Sequence, residues 1–290
     1  MSKLPIRPRL ALLALAPLMA LAACSPLKVL NAVEPRAGVE ITQGLAYGAD
    51  PRQALDVYAP RKRRPDTPIV VFFYGGSWDS GRRSDYRFLG ASMAAQGFVT
   101  LVPDYRIYPQ VRWPAFLEDS ALAVRWARDH GAAYGGDPGR LVLMGHSAGA
   151  YNAAMLALDG RWLGAVGMTP VRDVRAMVGL AGPYDFLPLT SEQLKVIFGP
   201  EPQRPDTQPI NHVGAGAPPL WLGTDLHDHY VDPGNTTRLA AAVRARGGQV
   251  ETRAYPRLNH ELMIGAFALP LRWLAPVRRD VTRFIAAHTR

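Results

Sequence analysis

Leu141-Val142-Leu143-Met144-Gly145-His146-Ser147-Ala148-Gly149-Ala150 is the stretch that decides the reading of this chain. Its four consecutive apolar residues form a run of strand length, of the kind buried on both faces of a parallel sheet. A serine between two glycines follows, and the stretch from Ala150 to Leu158 after it has helical character. G-x-S-x-G at a strand-to-helix bend is the setting of a nucleophile elbow, where a strained turn exposes the serine hydroxyl. Gly145 and Gly149 fit that bend because they carry no side chain to block it. The plainer alternative is a glycine-rich turn whose serine caps the next helix.

Similar apolar runs occur on both sides of the elbow: Ile69 to Phe73, Phe98 to Val102, Met177 to Leu180 and Leu220 to Leu222, with Val250 to Tyr255 as a last strand. Helix candidates lie between them. Leu117, Ala121 and Val124 stand at i, i+4, i+7, the stretch Asn235 to Arg246 is closed by Gly247-Gly248, and Val277, Val281 and Phe284 mark a terminal helix. Strands alternating with helices predict an α/β fold, a mainly parallel central sheet with helices on both faces. From Phe186 to Val213 five prolines break the chain around a short helical stretch, Ser191 to Phe198, which reads as a small cap over residues 186–213.

The 290 residues are 48% hydrophobic, enough for one large core, which excludes a disordered chain. Gly 27 and Pro 26 are scattered without period and signal turns, which excludes collagen. Lys3, Arg7 and Arg9 precede an uncharged run from Leu10 to Ala23, the pattern of a secretory signal, too short to span a bilayer comfortably. Losing that segment leaves 30 basic residues against 24 acidic ones, an excess of six. No basic run is longer than Arg61-Lys62-Arg63-Arg64, which speaks against nucleic-acid binding. The signal ends in Leu21-Ala22-Ala23-Cys24, which resembles the lipobox of bacterial lipoproteins. Cys24 is the single cysteine, so no internal disulfide can form. The expected organisation is a lipoprotein signal at 1–23, a tether at 24–38 and one domain at 39–290, anchored by lipid at the bacterial cell envelope.

A serine nucleophile needs donors for the oxyanion that develops in the reaction. Tyr74-Gly75-Gly76-Ser77-Trp78, directly after the run Ile69 to Phe73, offers the amides of Gly75 and Gly76, and the elbow offers that of Ala148. Seven histidines are available as the base, among them His130, His146, His212, His260 and His288. Three aspartates, Asp225, Asp228 and Asp232, follow the run Leu220 to Leu222, and spacing alone does not choose among them. His227-Asp228-His229 is also readable as metal ligands, although histidines two apart on a loop rarely converge without a third ligand, and the serine machinery needs neither metal nor cofactor.

From about Asp56 to His288 the sequence resembles the α/β-hydrolase family, in particular bacterial carboxylesterases of the feruloyl-esterase-like and formamidase-like branches with an H-G-G-x-W oxyanion motif. The resemblance rests on Gly75-Gly76-Ser77-Trp78, Asp104-Tyr105-Arg106 with Trp113-Pro114-Ala115, Gly145 to Gly149, Gly182-Pro183-Tyr184-Asp185-Phe186 and Tyr255-Pro256 ahead of His260. The departure is Tyr74, where the family has His. The resemblance implies an α/β-hydrolase fold and a triad in the chain order Ser147, Asp228, His260, with the acid in the D-x-x-V segment Asp228-His229-Tyr230-Val231. Trp78, Tyr184 and Phe186 are candidate substrate-pocket walls. The implied activity is hydrolysis of small-molecule esters of short acyl groups or compact aromatic acids. Amide hydrolysis, of formamidase or exopeptidase type, and a non-catalytic envelope binding module are the alternatives. The sequence does not fix the oligomeric state.

Overall fold

The computed structural model describes residues 26–62, 64 and 66–290. The apolar runs form the middle of an eight-stranded sheet: β1 (Val39–Ala46), β2 (Ala54–Pro60), β3 (Pro68–Phe73), β4 (Val99–Pro103), β5 (Asp137–His146), β6 (Ala176–Leu180), β7 (Leu220–Asp225) and β8 (Val250–Tyr255). Their order is β1-β2-β4-β3-β5-β6-β7-β8. β4 through β8 run parallel, and the hairpin β1–β2 adds two antiparallel strands at one edge. Val70, Val71, Leu143, Met144 and Val178 are completely buried, as continuous apolar strands covered on both faces require.

The principal helices are α1 (Pro26–Val33), α2 (Arg87–Ala94), α3 (Ala115–His130), α4 (Ala148–Leu158), α5 (Glu192–Phe198), α6 (Gly234–Ala245), α7 (His260–Gly265) and α8 (Val277–His288). Leu117, Ala121 and Val124 of α3 and Val277, Val281 and Phe284 of α8 all face the core. The parallel strands β3 to β8 end with their carboxyl edges together, and β5, β7 and β8 deliver Ser147, Asp228 and His260 to that edge, the ligand-binding side of such sheets. Among the described residues no helix is long and apolar enough to cross a membrane.

The expected signal segment and Cys24 lie outside the described residues. The expected tether at 24–38 is corrected from Pro26 on, because α1 docks onto the domain. Asn31 donates to the carbonyls of Ser84 (2.9 Å) and Asp85 (3.1 Å) and accepts from the Phe88 amide at 2.9 Å. Glu34, nearly buried, accepts from the Leu269 amide at 2.7 Å and pairs with Arg272.

Candidate active site

The elbow is a point of backbone strain. Ser147 holds φ 55°, ψ −126°, a conformation L residues rarely adopt, and its amide donates to the Leu180 carbonyl of the neighbouring strand at 2.9 Å. The bend is tight enough that a Cβ on Gly145 would lie 2.1 Å from the Gly149 carbonyl oxygen. A second close approach joins the elbow to the loop after β3, where a Cβ on Gly75 would lie 2.8 Å from the Ser147 Cβ. Only glycine permits the loop to come so near the hydroxyl.

That loop presents the expected oxyanion donors unequally. The Gly75 amide lies beside the Tyr86 hydroxyl. The amides of Gly76 and Ala148 donate no hydrogen bond among the described residues. Ser77 and Trp78 both carry positive φ (48° and 60°), so the segment that aims the Gly76 amide is itself strained. Tyr74 supports it from below. Its ring stacks on Tyr86 (5.4 Å) and Tyr105 (4.9 Å), and its hydroxyl donates to Asp104 at 2.8 Å and accepts from Arg52 at 3.0 Å. Arg83 neutralises Asp104 and also pairs with buried Asp56 at 2.9 Å.

His260 opens α7, just after the Asn259 cap, and is only 8% exposed. Its Nδ1 lies 2.7 Å from Asp228 Oδ2. The other Asp228 oxygen accepts from the amides of Tyr230 and Val231, each at 2.8 Å. Burial raises the Asp228 carboxyl, but the bonds from His260 and these two amides outweigh it and hold the group below its ordinary value. The imidazole stands between two rings, His146 at 4.8 Å and Tyr230 at 5.3 Å between centroids. His146 precedes Ser147 and its Nε2 lies 3.0 Å from the His260 carbonyl oxygen, so the elbow and the segment bearing His260 are in direct contact. Sequence alone carries no local signal of this bond, since its partner lies 114 residues away.

Asp225, the first of the three aspartates, belongs to the sheet. It ends β7, in register with Tyr255 of β8, and is completely buried. Its Oδ1 accepts from the His227 amide at 3.1 Å, while Oδ2 has no partner among the described residues. Burial, and then the charge of Asp228, raise its carboxyl above the ordinary value. Ligand atoms of Asp225, Asp228 and His260 fall within 4.8 Å of one another. His227 and His229 are exposed, so the His227-Asp228-His229 cluster does not converge as a metal set.

A cavity of about 370 Å3 opens beside Ser147, bounded by Ser77, Trp78, Ala148, Phe186 and Tyr230 and closed by Leu187 to Thr190 and Leu194 of the cap. Trp78 is held by a bond from Nε1 to Asn152 at 3.1 Å and lies 6.2 Å from the stacked Phe186 ring. Tyr184 is a correction: its side chain is completely buried and packs beneath the sheet, where a Cβ on Gly179 would meet its hydroxyl at 2.0 Å. It supports the site from behind and does not line it.

Fold and strand-edge placement define an α/β-hydrolase. The BD-FAE family model matches residues 55–243, and the chain belongs to that family. It is 33% identical over 149 residues to the probable isoprenylcysteine α-carbonyl methylesterase ICME of Oryza sativa subsp. japonica, covering 50% of this chain and 36% of that protein. It is 35% identical over 198 residues to the esterase LipC of Mycobacterium tuberculosis, covering 61% of this chain and 49% of that one. The chain thus spans between about a third and a half of these two relatives. Esterase B of Lactobacillus rhamnosis, solved with a tributyrin phosphonate, superposes with TM-score 0.79 at 21% identity, over 98% of this chain and 97% of that one, which shows the shared fold.

Proposed function

We propose that this protein is a serine carboxylesterase acting on esters of short acyl groups or compact aromatic acids through an acyl-enzyme. The observation that carries the reading is the 2.7 Å pair of His260 Nδ1 and ionised Asp228, fastened beside the strained Ser147 elbow. In the first half-reaction His260 Nε2 takes the Ser147 hydroxyl proton as Oγ attacks the ester carbonyl carbon. The carbonyl oxygen becomes an oxyanion, and the amides of Gly75 or Gly76, together with that of Ala148, are the donors available to it. The C–O bond to the alcohol then breaks and the alcohol leaves with the proton from His260. Water, deprotonated by the same imidazole, cleaves the acyl-serine and restores Ser147. Asp228 keeps Nδ1 protonated, so that Nε2 presents its lone pair. The names of the relatives, esterase and methylesterase, support ester over amide chemistry.

The acyl range is drawn from the cavity. About 370 Å3 closed by the cap and walled by Trp78 and Phe186 suits a small or flat acid better than a long chain. The reading includes lipidation of Cys24 and export to the envelope, from the segment Lys3 to Cys24. Because α1 is docked from Pro26, a single residue, Ser25, and at most ~7 Å of chain would separate the lipid-bearing residue from the folded body.

A fluorophosphonate probe tests the reading: the purified protein should be labelled at Ser147 and should hydrolyse p-nitrophenyl acetate faster than the palmitate. Ser147→Ala should abolish both labelling and turnover while its thermal unfolding stays close to wild type. Substantial turnover by that variant would refute the serine mechanism, and preferential cleavage of N-formylkynurenine would move the activity to amides.

A further inference from the structure

His146 occupies the variable position of the G-x-S-x-G motif, where the chemistry of the serine makes no demand on the side chain. Its imidazole is nevertheless almost completely buried. Nε2 lies 3.0 Å from the backbone carbonyl oxygen of His260, and the two rings are 4.8 Å apart. A carbonyl oxygen only accepts, so Nε2 carries the proton and donates it, which makes the neutral ring the Nε2–H tautomer. Burial, with the charge of His260 adding to it, pushes the imidazole down to about 3, so the ring keeps this form throughout the neutral range. Among the described residues Nδ1 has no partner, and it lies 3.3 Å from where a Cβ on Gly75 would stand, facing the oxyanion loop.

We infer that His146 is a positioning residue, whose Nε2–H clamps the His260 carbonyl and thereby sets the distance between the base and the nucleophile. This rests on the serine-hydrolase reading above. The geometry favours such a role because of what holds each partner. Ser147 is fixed by β5, the elbow and the bond of its amide to Leu180. His260 stands beyond the end of β8, on a helix of six residues, and the loop carrying Asp228 has its own exposed face at His227, His229 and Tyr230. The Asp228 bond orients the imidazole within that pair of segments but ties it only to another loop. The His146 bond is the link from the base's own backbone to the residue adjoining the nucleophile. A proton transfer between Ser147 and His260 depends on reach of a few tenths of an ångström, and displacements near 1 Å cost ~10²-fold in rate.

The test compares donors of different reach at this position. Gln carries its amide nitrogen about as far from the backbone as Nε2 of histidine, whereas Asn reaches only as far as Nδ1. Leu removes the donor, and the site accepts it because His146 borders an apolar cavity of about 620 Å3 with Leu30, Leu262 and Ile264 in its wall. His146→Leu and His146→Asn should lower kcat on p-nitrophenyl acetate by ~10- to 100-fold with KM changed less than about twofold, and should slow fluorophosphonate labelling in parallel. His146→Gln should return kcat to within about threefold of wild type. A merely structural role would move thermal stability without separating Gln from Asn. Equal kcat for Gln and Asn, wild-type kcat for Leu, or an effect on KM alone would overturn the inference. If the wild-type protein itself neither reacts with the probe nor turns over ester, the serine-hydrolase reading fails instead, and the two outcomes are distinct.

Discussion

Asp228→Asn is the substitution whose outcome the geometry determines most fully. The Asp228 carboxylate faces donors on every side: His260 Nδ1 at 2.7 Å on one oxygen, and the amides of Tyr230 and Val231 at 2.8 Å on the other. An asparagine amide has one acceptor oxygen and one NH2, so one of these contacts becomes donor against donor. If the NH2 is turned to the backbone, two amides lose their acceptor together. If it is turned to His260, the imidazole escapes by moving its proton to Nε2, a change that leaves every contact satisfied. The second arrangement therefore wins, and it is inert, because a protonated Nε2 cannot accept the Ser147 proton.

Wrong-tautomer lesions of this kind cost ~10⁴ in kcat, which is about 5.4 kcal/mol of barrier. Asp225→Asn should behave differently. Among the described residues the Asp225 side chain accepts one hydrogen bond, from the His227 amide at 3.1 Å on Oδ1, which an Asn oxygen preserves, and burial already favours the neutral carboxyl that Asn imitates. Its kcat should fall at most about tenfold. Initial rates with p-nitrophenyl acetate at saturating substrate, beside unfolding curves for both variants, measure this directly. Should Asp228→Asn keep more than about a tenth of wild-type kcat, or should Asp225→Asn prove the slower of the two, the assignment of the acid would be wrong.

Two further predictions concern the N-terminal segment. Glu34→Ala takes the acceptor from the Leu269 amide and one of three acceptors from Arg272, which keeps the Phe267 carbonyl and the Ser92 hydroxyl, a loss of ~1–3 kcal/mol, so the melting temperature should drop by several degrees. An unchanged melting curve would show that α1 adds nothing to the stability of the domain. The native protein should carry a lipid on Cys24 and sediment with membranes, and Cys24→Ser should release or misprocess it; intact mass reads the modification, and an unmodified mature chain starting elsewhere contradicts the anchor.

What the sequence makes legible follows burial. β3 to β7 are covered on both faces, so each contains an apolar run that needs no partner to be recognised. β1 escapes notice because it is an edge strand with Glu40, Thr42 and Gln43 along it and only Val39 buried. The end of β7 is harder still. Thr224 and Asp225 are polar and read as loop, yet pairing with Ala254 and Tyr255 of β8 carries the strand through them and buries Asp225. Tyr184 shows the same limit for side chains: an aromatic residue near the elbow reads as pocket wall, and only the absence of a Cβ at Gly179 and Gly182 lets it turn under the sheet. α1 looks like a tether because its anchors, Ser84, Asp85 and Arg272, lie 53 to 238 residues away.

Tyr74 connects these readings, since it stands where the family resemblance expects a histidine. A histidine offers one donor and one acceptor to hold the loop, and the Tyr74 hydroxyl uses the same two capacities, donating to Asp104 and accepting from Arg52. It adds what an imidazole offers less of, a stack between Tyr86 and Tyr105, and the Tyr105 hydroxyl returns a bond to the Tyr74 carbonyl at 2.7 Å. Asp104 is not left as a bare buried charge, because Arg83 pairs with it and with Asp56. The next residue, Gly75, is the one whose absent side chain lets the loop close on Ser147. Whatever fixes the Tyr74 backbone therefore fixes how far the Gly76 amide stands from the elbow. An amide held by such a network needs little reorganisation when negative charge develops before it, and that is the condition under which an oxyanion donor lowers a barrier. The substitution of Tyr for His thus changes the means by which the loop is held and leaves the Gly76 amide, the donor proposed for the oxyanion, in place.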